Sequence, residues 1–375
     1  MSMNTTPAAR LPSHCSRFAS RTLTAAALLG LLGLALASSA GAATTTSTKT
    51  AGKAATKTAS APAVKSPISG LADRHHAPST AYSGAVRSFV VDTTWASLQP
   101  VKGGPIVHPN DIDNAITLAK ANGETLKLRV RAGIDAPTWA KTLDGPALPF
   151  YYTDATPGLS GTLAGTVGRF WLPDFNAAYA SLQQKLAADY DAVPQIRETD
   201  ITECATIYSE TFLRDAMYKG NVTTLLKAGY TLAQDATCHA QQVQAHRVWV
   251  QTPSDLSFNP YNSITSDGKV RADLAYTESQ MVYCRQVLGA RCVLSNHSLA
   301  TGRSQGGNYG AMYAYMHSLG GSIDFQTATV AKMGDYTAVL AYAASLGAHS
   351  VELPTGYTDW STTTLAGYAR EMADS

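Results

Sequence analysis

The sequence predicts an α/β fold, a single (β/α)8 barrel with a long loop or hairpin inserted around residues 141–170. Three observations lead there. Apolar, β-branched runs of strand length recur along the chain with helical patterns between them, and such alternation requires parallel pairing through βαβ crossovers. Behind an N-terminal leader and linker, about 300 residues remain, which suits one eight-stranded barrel with insertions. An open Rossmann-type sheet is the other arrangement this alternation permits, but no GxGxxG follows the first strand.

In order, the predicted strands are "SFVVDTTW" (88–95), "TLKLRVRAG" (125–133), "IRETDITEC" (196–204), "RVWVQTP" (247–253), "RCVLSNHS" (291–298), "IDFQTAT" (323–329) and "SVELPTG" (350–356). An eighth is expected in "PFYYTD" (149–154) or upstream within 78–86. Two helices are explicit. "DIDNAITLAKANG" places Ile112, Ala115, Ile116 and Ala119 on one face and stops at Asn-Gly. "DFNAAYASLQQKLAADYD" spaces Phe175, Tyr179, Leu182 and Leu186 at the helical period.

The N-terminus reads as an address. Arg10, Arg17 and Arg21 precede an apolar run from Leu23 to Ala37, and Ala40-Gly41-Ala42 gives a small-residue cleavage pattern. This is the three-part secretory signal, with a run too short for a comfortable membrane span, so removal near Ala42 is expected. Residues 43–68 contain Ala, Thr, Ser, Lys and Pro without a large apolar run, the composition of a disordered tether. Its lysines offer contact with an acidic cell envelope.

Residues 1–68 carry seven basic side chains and no acid, which leaves the remaining body with 22 bases against 27 acids. That acidic balance argues against nucleic-acid binding, which requires a basic face. Cleavage of the leader leaves Cys204, Cys238, Cys284 and Cys292. An even count in an exported chain points to disulfides, with Cys284 and Cys292 as a short-range pair and Cys204 and Cys238 as the other. Zinc is disfavoured because paired CxxC elements are absent. HExxH, GxSxG, P-loop and EF-hand patterns are absent too, so no metal or cofactor is expected.

In a barrel of this kind chemistry gathers at the C-terminal strand ends. Those ends offer Asp92, Trp95, Arg129, Arg131, Trp139, Glu203, Gln251, Asp255, Asn296, His297, Gln326 and Glu352, with several tyrosines and tryptophans nearby. Convergent polar groups beside flat apolar rings suit a sugar, whose C–H faces stack while its hydroxyls hydrogen-bond. "FVVDTTWASLQP" and "LRVRAGIDAPTW" resemble the W-x-x-L-x-P and R-x-x-x-G-x-x-x-P-x-W patterns of clan A glycoside hydrolases, notably the family 42 β-galactosidase type. "RFWLPDFNAAYASLQQKLAADYDAVPQI" resembles the helix before their acid/base strand. The likeness spans residues 85–215.

The resemblance implies an acid/base glutamate ending strand four, where Glu203 stands, and a nucleophilic glutamate ending strand seven. Two positions depart from it: Thr202 stands where an asparagine precedes the glutamate, and strand seven presents Gln326. A neutral amide cannot attack an anomeric carbon as a carboxylate does. Glu352, one strand further on, is the nearest replacement, and opposite barrel walls could give an inverting separation. Asp92, Asp255 and Glu210 are further candidates. Each has a plainer reading: Glu203 as a structural carboxylate, Arg129 or Arg131 as the partner of a buried acid, His297 as a core histidine, Cys204 as a bridge and Glu210 as a helix cap. Two functions follow as expectations. One is an exported glycoside hydrolase with Glu203 and Glu352 as its catalytic pair. The other is a carbohydrate-binding barrel that lost its nucleophile, with Asp92, Trp95, Arg129, Arg131, Trp139, Asn296, His297 and Gln326 as ligand contacts.

Overall fold

The computed structural model describes residues 63–153, 161–302 and 305–374. The expected signal (1–42) and most of the expected linker lie outside the described residues. Among the described residues no helix is long and apolar enough to cross a membrane.

Eight parallel strands form a closed barrel: β1 (Gly70–Asp73), β2 (Val86–Thr94), β3 (Thr125–Arg131), β4 (Ile196–Asp200), β5 (Ser254–Ser257), β6 (Cys292–Leu299), β7 (Ile323–Thr327) and β8 (Ser350–Leu353). Gly70 of β1 lies opposite Ser350 of β8, and that pairing closes the ring. The chain is a (β/α)8 barrel. Both explicit helices are present. Asp111–Asn122 starts at a capping box between Asn110 and Asp113 and ends at Gly123, whose φ of 70° suits the left-handed cap. Pro173–Tyr190 has proline in its first turn, where the missing N–H costs nothing.

Two expected strands fall elsewhere. The eighth is neither 149–154 nor 78–86 but the four-residue β1, too short to display a period. Leu148–Tyr151 does form a strand, yet it pairs antiparallel with Leu163–Val167 as a hairpin outside the barrel, in the stretch expected to hold an insertion. The fifth strand begins at Ser254, after the run 247–253. The Asp191 carboxylate accepts from the N–H groups of Val250, Gln251 and Thr252, at 2.8–3.2 Å, so those groups are taken before a ladder forms. Gln251 therefore lies before its strand, away from the mouth.

The strands alternate in an unusual sense. Leu126, Leu128, Val130, Leu256, Leu294, Phe325, Val351 and Leu353 are buried in the apolar layers outside the barrel. The intervening residues meet across the interior, and many are charged. Barrels of this fold are commonly filled with branched apolar side chains. Here the filling is a salt-bridge network on Lys127. At the opposite end from the mouth, residues 65–68 pack on the strand starts. Lys65 donates to the carbonyls of Val193 and Ile196, at 2.7 and 2.9 Å, and the Ile68 N–H donates to Glu198 at 2.7 Å.

Candidate functional site

Lys127 on β3 sends its ammonium to the barrel axis. It pairs closely with Asp255 and Asp324, and with Glu352 at 3.0 Å and Glu198 at 3.4 Å. One turn of the pleat higher, Arg129 donates through Nε to Asp200 at 2.5 Å and through Nη2 to Glu352 at 2.7 Å. Two cations therefore serve five buried carboxyls. Burial raises Glu198 well above the usual carboxylate range, and lifts Asp200 to about 7 and Asp255 to about 6. Glu352 moves the other way: burial would raise it, but Arg129 and Lys127 hold it ionised and depressed. Glu198, Asp255 and Asp324 lie close enough together to suit a metal ion, yet the Lys127 ammonium already sits against the last two and within 3.4 Å of the first.

Above this layer a cleft of about 720 Å³ opens at the C-terminal strand ends. Its floor is made by Arg129, His297 and Gln326. Arg129 Nη1 donates to the Gln326 carbonyl at 3.2 Å, and Gln326 Nε2 donates to the His297 backbone at 3.3 Å. Burial beside Arg129 keeps His297 far below its usual range, hence neutral. With Arg129 Nη2 facing its Nε2 at 3.4 Å, the imidazole proton belongs on Nδ1, which lies 3.1 Å from Ser209 Oγ. Asp92 and Glu210 are the carboxylates of the cleft wall. Arg131 pairs with Asp92 at 2.9 Å and with Asp135 at 3.4 Å.

Glu203 is elsewhere. It is fully buried outside the cleft lining, with Oε1 accepting from Asn176 Nδ2 at 2.6 Å. Its Oε2 has no hydrogen-bond partner, and burial raises its pKa well above the carboxylate range. Glu352 lies beneath the floor, 1% exposed, so the expected catalytic pair does not line the cleft. Trp95 is fully buried, donates to Gln99 at 3.0 Å and packs edge-on against Trp139, Phe175 and Tyr179. Trp139 is half-buried and donates to the Gln99 carbonyl, again away from the cleft. Asn296 is buried between the Phe258 carbonyl and the Tyr313 hydroxyl, each at 2.7 Å. Of the expected contacts, Asp92, Arg129, Arg131, His297 and Gln326 do meet around one cavity.

The loop after β4 explains how Glu210 reaches the wall while Glu203 does not. A disulfide joins Cys204 to Cys238 on the helix Leu232–Ala245, and a second joins Cys284 to Cys292. Thr202 Oγ1 donates to Val130, the Ile134 N–H to Thr206 and the Thr211 N–H to the Ser257 carbonyl. Gly133 has φ of 56°, and a Cβ there would run into the carbonyls of Ala205 and Thr206, so glycine lets the β3 and β4 loops touch. The same loop brings Tyr208, Ser209 and Arg214 to the cleft. Tyr208 is one of the aromatics expected near the strand ends; Ser209 and Arg214, with Arg74, Tyr309 and Lys332, were not among the sequence candidates. The short β1 hid Arg74, and no periodic pattern marks an irregular loop.

No family model matches the chain, and no curated protein is similar to it. Among solved structures, the catalytic domain of β-amylase from Paenibacillus polymyxa is similar at 10% identity, covering 82% of this chain and 99% of that one with a TM-score of 0.50. An endoglucanase from Pseudomonas stutzeri has 12% identity, 82% and 96% coverage and a TM-score of 0.42. A β-galactosidase from Marinomonas has 14% identity, 81% and 59% coverage and a TM-score of 0.46. At such identity the likeness is one of fold alone: the chain shares a (β/α)8 barrel with these proteins.

Proposed function

We propose that this protein is an exported carbohydrate-binding barrel, built on the glycosidase scaffold and lacking the Glu203/Glu352 hydrolytic pair. One observation carries the reading. The cleft at the strand ends is lined by Arg129, His297, Gln326 and tyrosines, while Glu203 is buried behind Asn176 and Glu352 is tied beneath Arg129. Two-carboxylate hydrolysis needs both groups beside the scissile bond, one to protonate the leaving oxygen and one to attack or to activate water. Glu203 has no access to such a bond, and Gln326 supplies no charge. What the cleft does supply is donors and acceptors around ring faces, which suits sugar hydroxyls and C–H faces. The leader, the cleavage pattern at Ala42 and the two disulfides support export, and Lys49, Lys53 and Lys57 of the linker suit contact with an acidic envelope, Lys65 being engaged at the base of the barrel.

A second reading has its own support. Asp92 and Glu210 both line the cleft, and Glu210 Oε2 has no hydrogen-bond partner, so this pair is available for hydrolysis by a clan A barrel with displaced carboxylates. Calorimetric titration with a panel of oligosaccharides, paired with a reducing-end assay, separates the two. Binding without release supports the first. Release that disappears in Glu210→Gln supports the second, and neither binding nor release refutes both.

A further inference from the structure

The cleft carries an excess of positive charge that a neutral sugar does not require. Its lining holds five cationic side chains, Arg74, Arg129, Arg131, Arg214 and Lys332, against two carboxylates, Asp92 and Glu210. The histidines do not add to this, because burial depresses both His75 and His297. Arg129 is neutralised from below by Asp200 and Glu352, and Arg131 by Asp92 and Asp135. Arg214 is held charged by the nearby Glu210, and its guanidinium lies 5.9 Å from the centre of the Tyr208 ring. Arg74 and Lys332 remain, one after β1 and one after β7, with no salt bridge to either among the described residues. Arg74 is half-buried and held in place by Nη2 donating to the Thr327 carbonyl and hydroxyl, while its Nε has no acceptor. Burial lowers it only to about 10, so it is charged at neutral pH.

Resting on the carbohydrate reading above, we infer that the ligand is an acidic glycan, with hexuronic-acid carboxylates seated on Arg74 and Lys332. Arg74 lines the cleft with its Nε buried, and the face of the guanidinium that borders the cleft suits a planar anion such as a carboxylate. The cations sit on separate loops instead of converging on one nest of N–H groups, so they suit single charges spaced along a polymer better than a compact phosphate. Gln326 adds a neutral amide to the floor, beside Arg129, whose charge Asp200 and Glu352 already meet. The opposite wall is aromatic: Tyr208 is 45% exposed, with Tyr152 of the outer hairpin 6.2 Å away, and it offers ring faces to the sugar backbone.

The test uses the mature chain, oligogalacturonate as the acidic probe and the carboxyl-reduced, neutral oligogalactose as its match, both titrated calorimetrically at low and high salt. The inference expects the acid to bind at least tenfold more tightly, with the advantage shrinking as salt screens the charges. Lys332→Gln, an exposed position that folding tolerates, weakens acid binding about two- to fivefold and weakens neutral binding by a smaller factor, so the preference for the acid narrows. Arg74→Gln weakens it on the order of tenfold or more, with thermal unfolding recorded to show that the variant is folded. Equal affinity for both probes overturns the acidic preference while leaving the carbohydrate reading intact. Binding of the acid that ignores both substitutions places the charge recognition elsewhere and overturns the inference. Binding of neither probe overturns both the inference and the reading beneath it.

Discussion

Replacing Lys127 by methionine tests the barrel interior. Methionine keeps most of the side-chain volume and removes the charge that faces Asp255, Asp324, Glu352 and Glu198. At an effective dielectric of about 20, one ion pair at 3 Å is worth roughly 5 kcal/mol before desolvation. The variant escapes part of that loss by holding an extra proton. Asp255 titrates at about 6 in the native fold, so retaining its proton costs almost nothing at pH 6 and about 3 kcal/mol at pH 8. A carboxyl whose folded pKa is raised stabilises the protein below its unfolded pKa, and that stabilisation is lost as pH rises through the folded value. Removing Lys127 pushes that folded value higher. Urea unfolding of parent and variant at both pH values reads the effect; the buried His239 and His246 contribute equally to each, while His297 loses the repulsion of Lys127 in the variant. The expected destabilisation is about 1 kcal/mol at pH 6 and about 4 kcal/mol at pH 8, within the range for stripping one partner from a buried pair. A loss of the same size at both pH values, or none at either, refutes the argument that Lys127 neutralises the interior.

Other outcomes follow from the same physics. Glu203→Gln removes a buried acid that folds protonated, so the variant gains on the parent by on the order of 1.4 kcal/mol per pH unit above pH 4.5, up to the folded pKa; a destabilised variant at pH 7 in chemical denaturation contradicts this. Opening Cys204–Cys238, which closes a 34-residue separation, costs about 3.8 kcal/mol by loop entropy, and opening Cys284–Cys292 across 8 residues costs about 2.5 kcal/mol. Paired Cys→Ala variants in urea give that ranking or reverse it. Tyr208→Ala leaves stability within about 0.5 kcal/mol, because its ring is half in solvent, and weakens glycan binding by about 1 kcal/mol or more; unchanged affinity in calorimetry places the sugar elsewhere.

The barrel was legible because most of its strands carry β-branched or apolar runs where the chain pairs on both sides: β3, β4, β7 and β8 fall within their predicted runs, β2 begins two residues before its run and β6 ends one residue after its own. What failed was local. β1 has four residues, fewer than a period can mark, and Asp191 diverts the backbone of 250–252 although "RVWVQTP" has strand composition. The site was legible wherever the parity of a strand could be followed. Lys127, Arg129 and Arg131 stand two apart and share the inward face, as do Glu198 with Asp200 and Gln326 with Asp324. Arg129 does pair with buried acids, the plainer of its two sequence readings. Glu203 lies three residues beyond Asp200, off that parity and past the last ladder residue, so its direction depends on the loop, the disulfide and Asn176. Counting parity from Asp200 would have warned that Glu203 leaves the axis. Glu210 and Tyr208 were within reach of the sequence as a further acid and a nearby ring, but Arg214 was not, and the placement of all three on the wall depends on Gly133 and the β4 loop touching.

The account turns on whether the cleft holds sugar without cutting it through Glu203. The most direct measurement incubates the mature protein and its Glu203→Gln variant with oligosaccharides that calorimetry shows to bind, and counts new reducing ends over time. The account predicts equal affinity for the two proteins and no reducing ends from either. Release by the parent that vanishes in Glu203→Gln, with binding retained, would contradict it and return Glu203 to the chemistry.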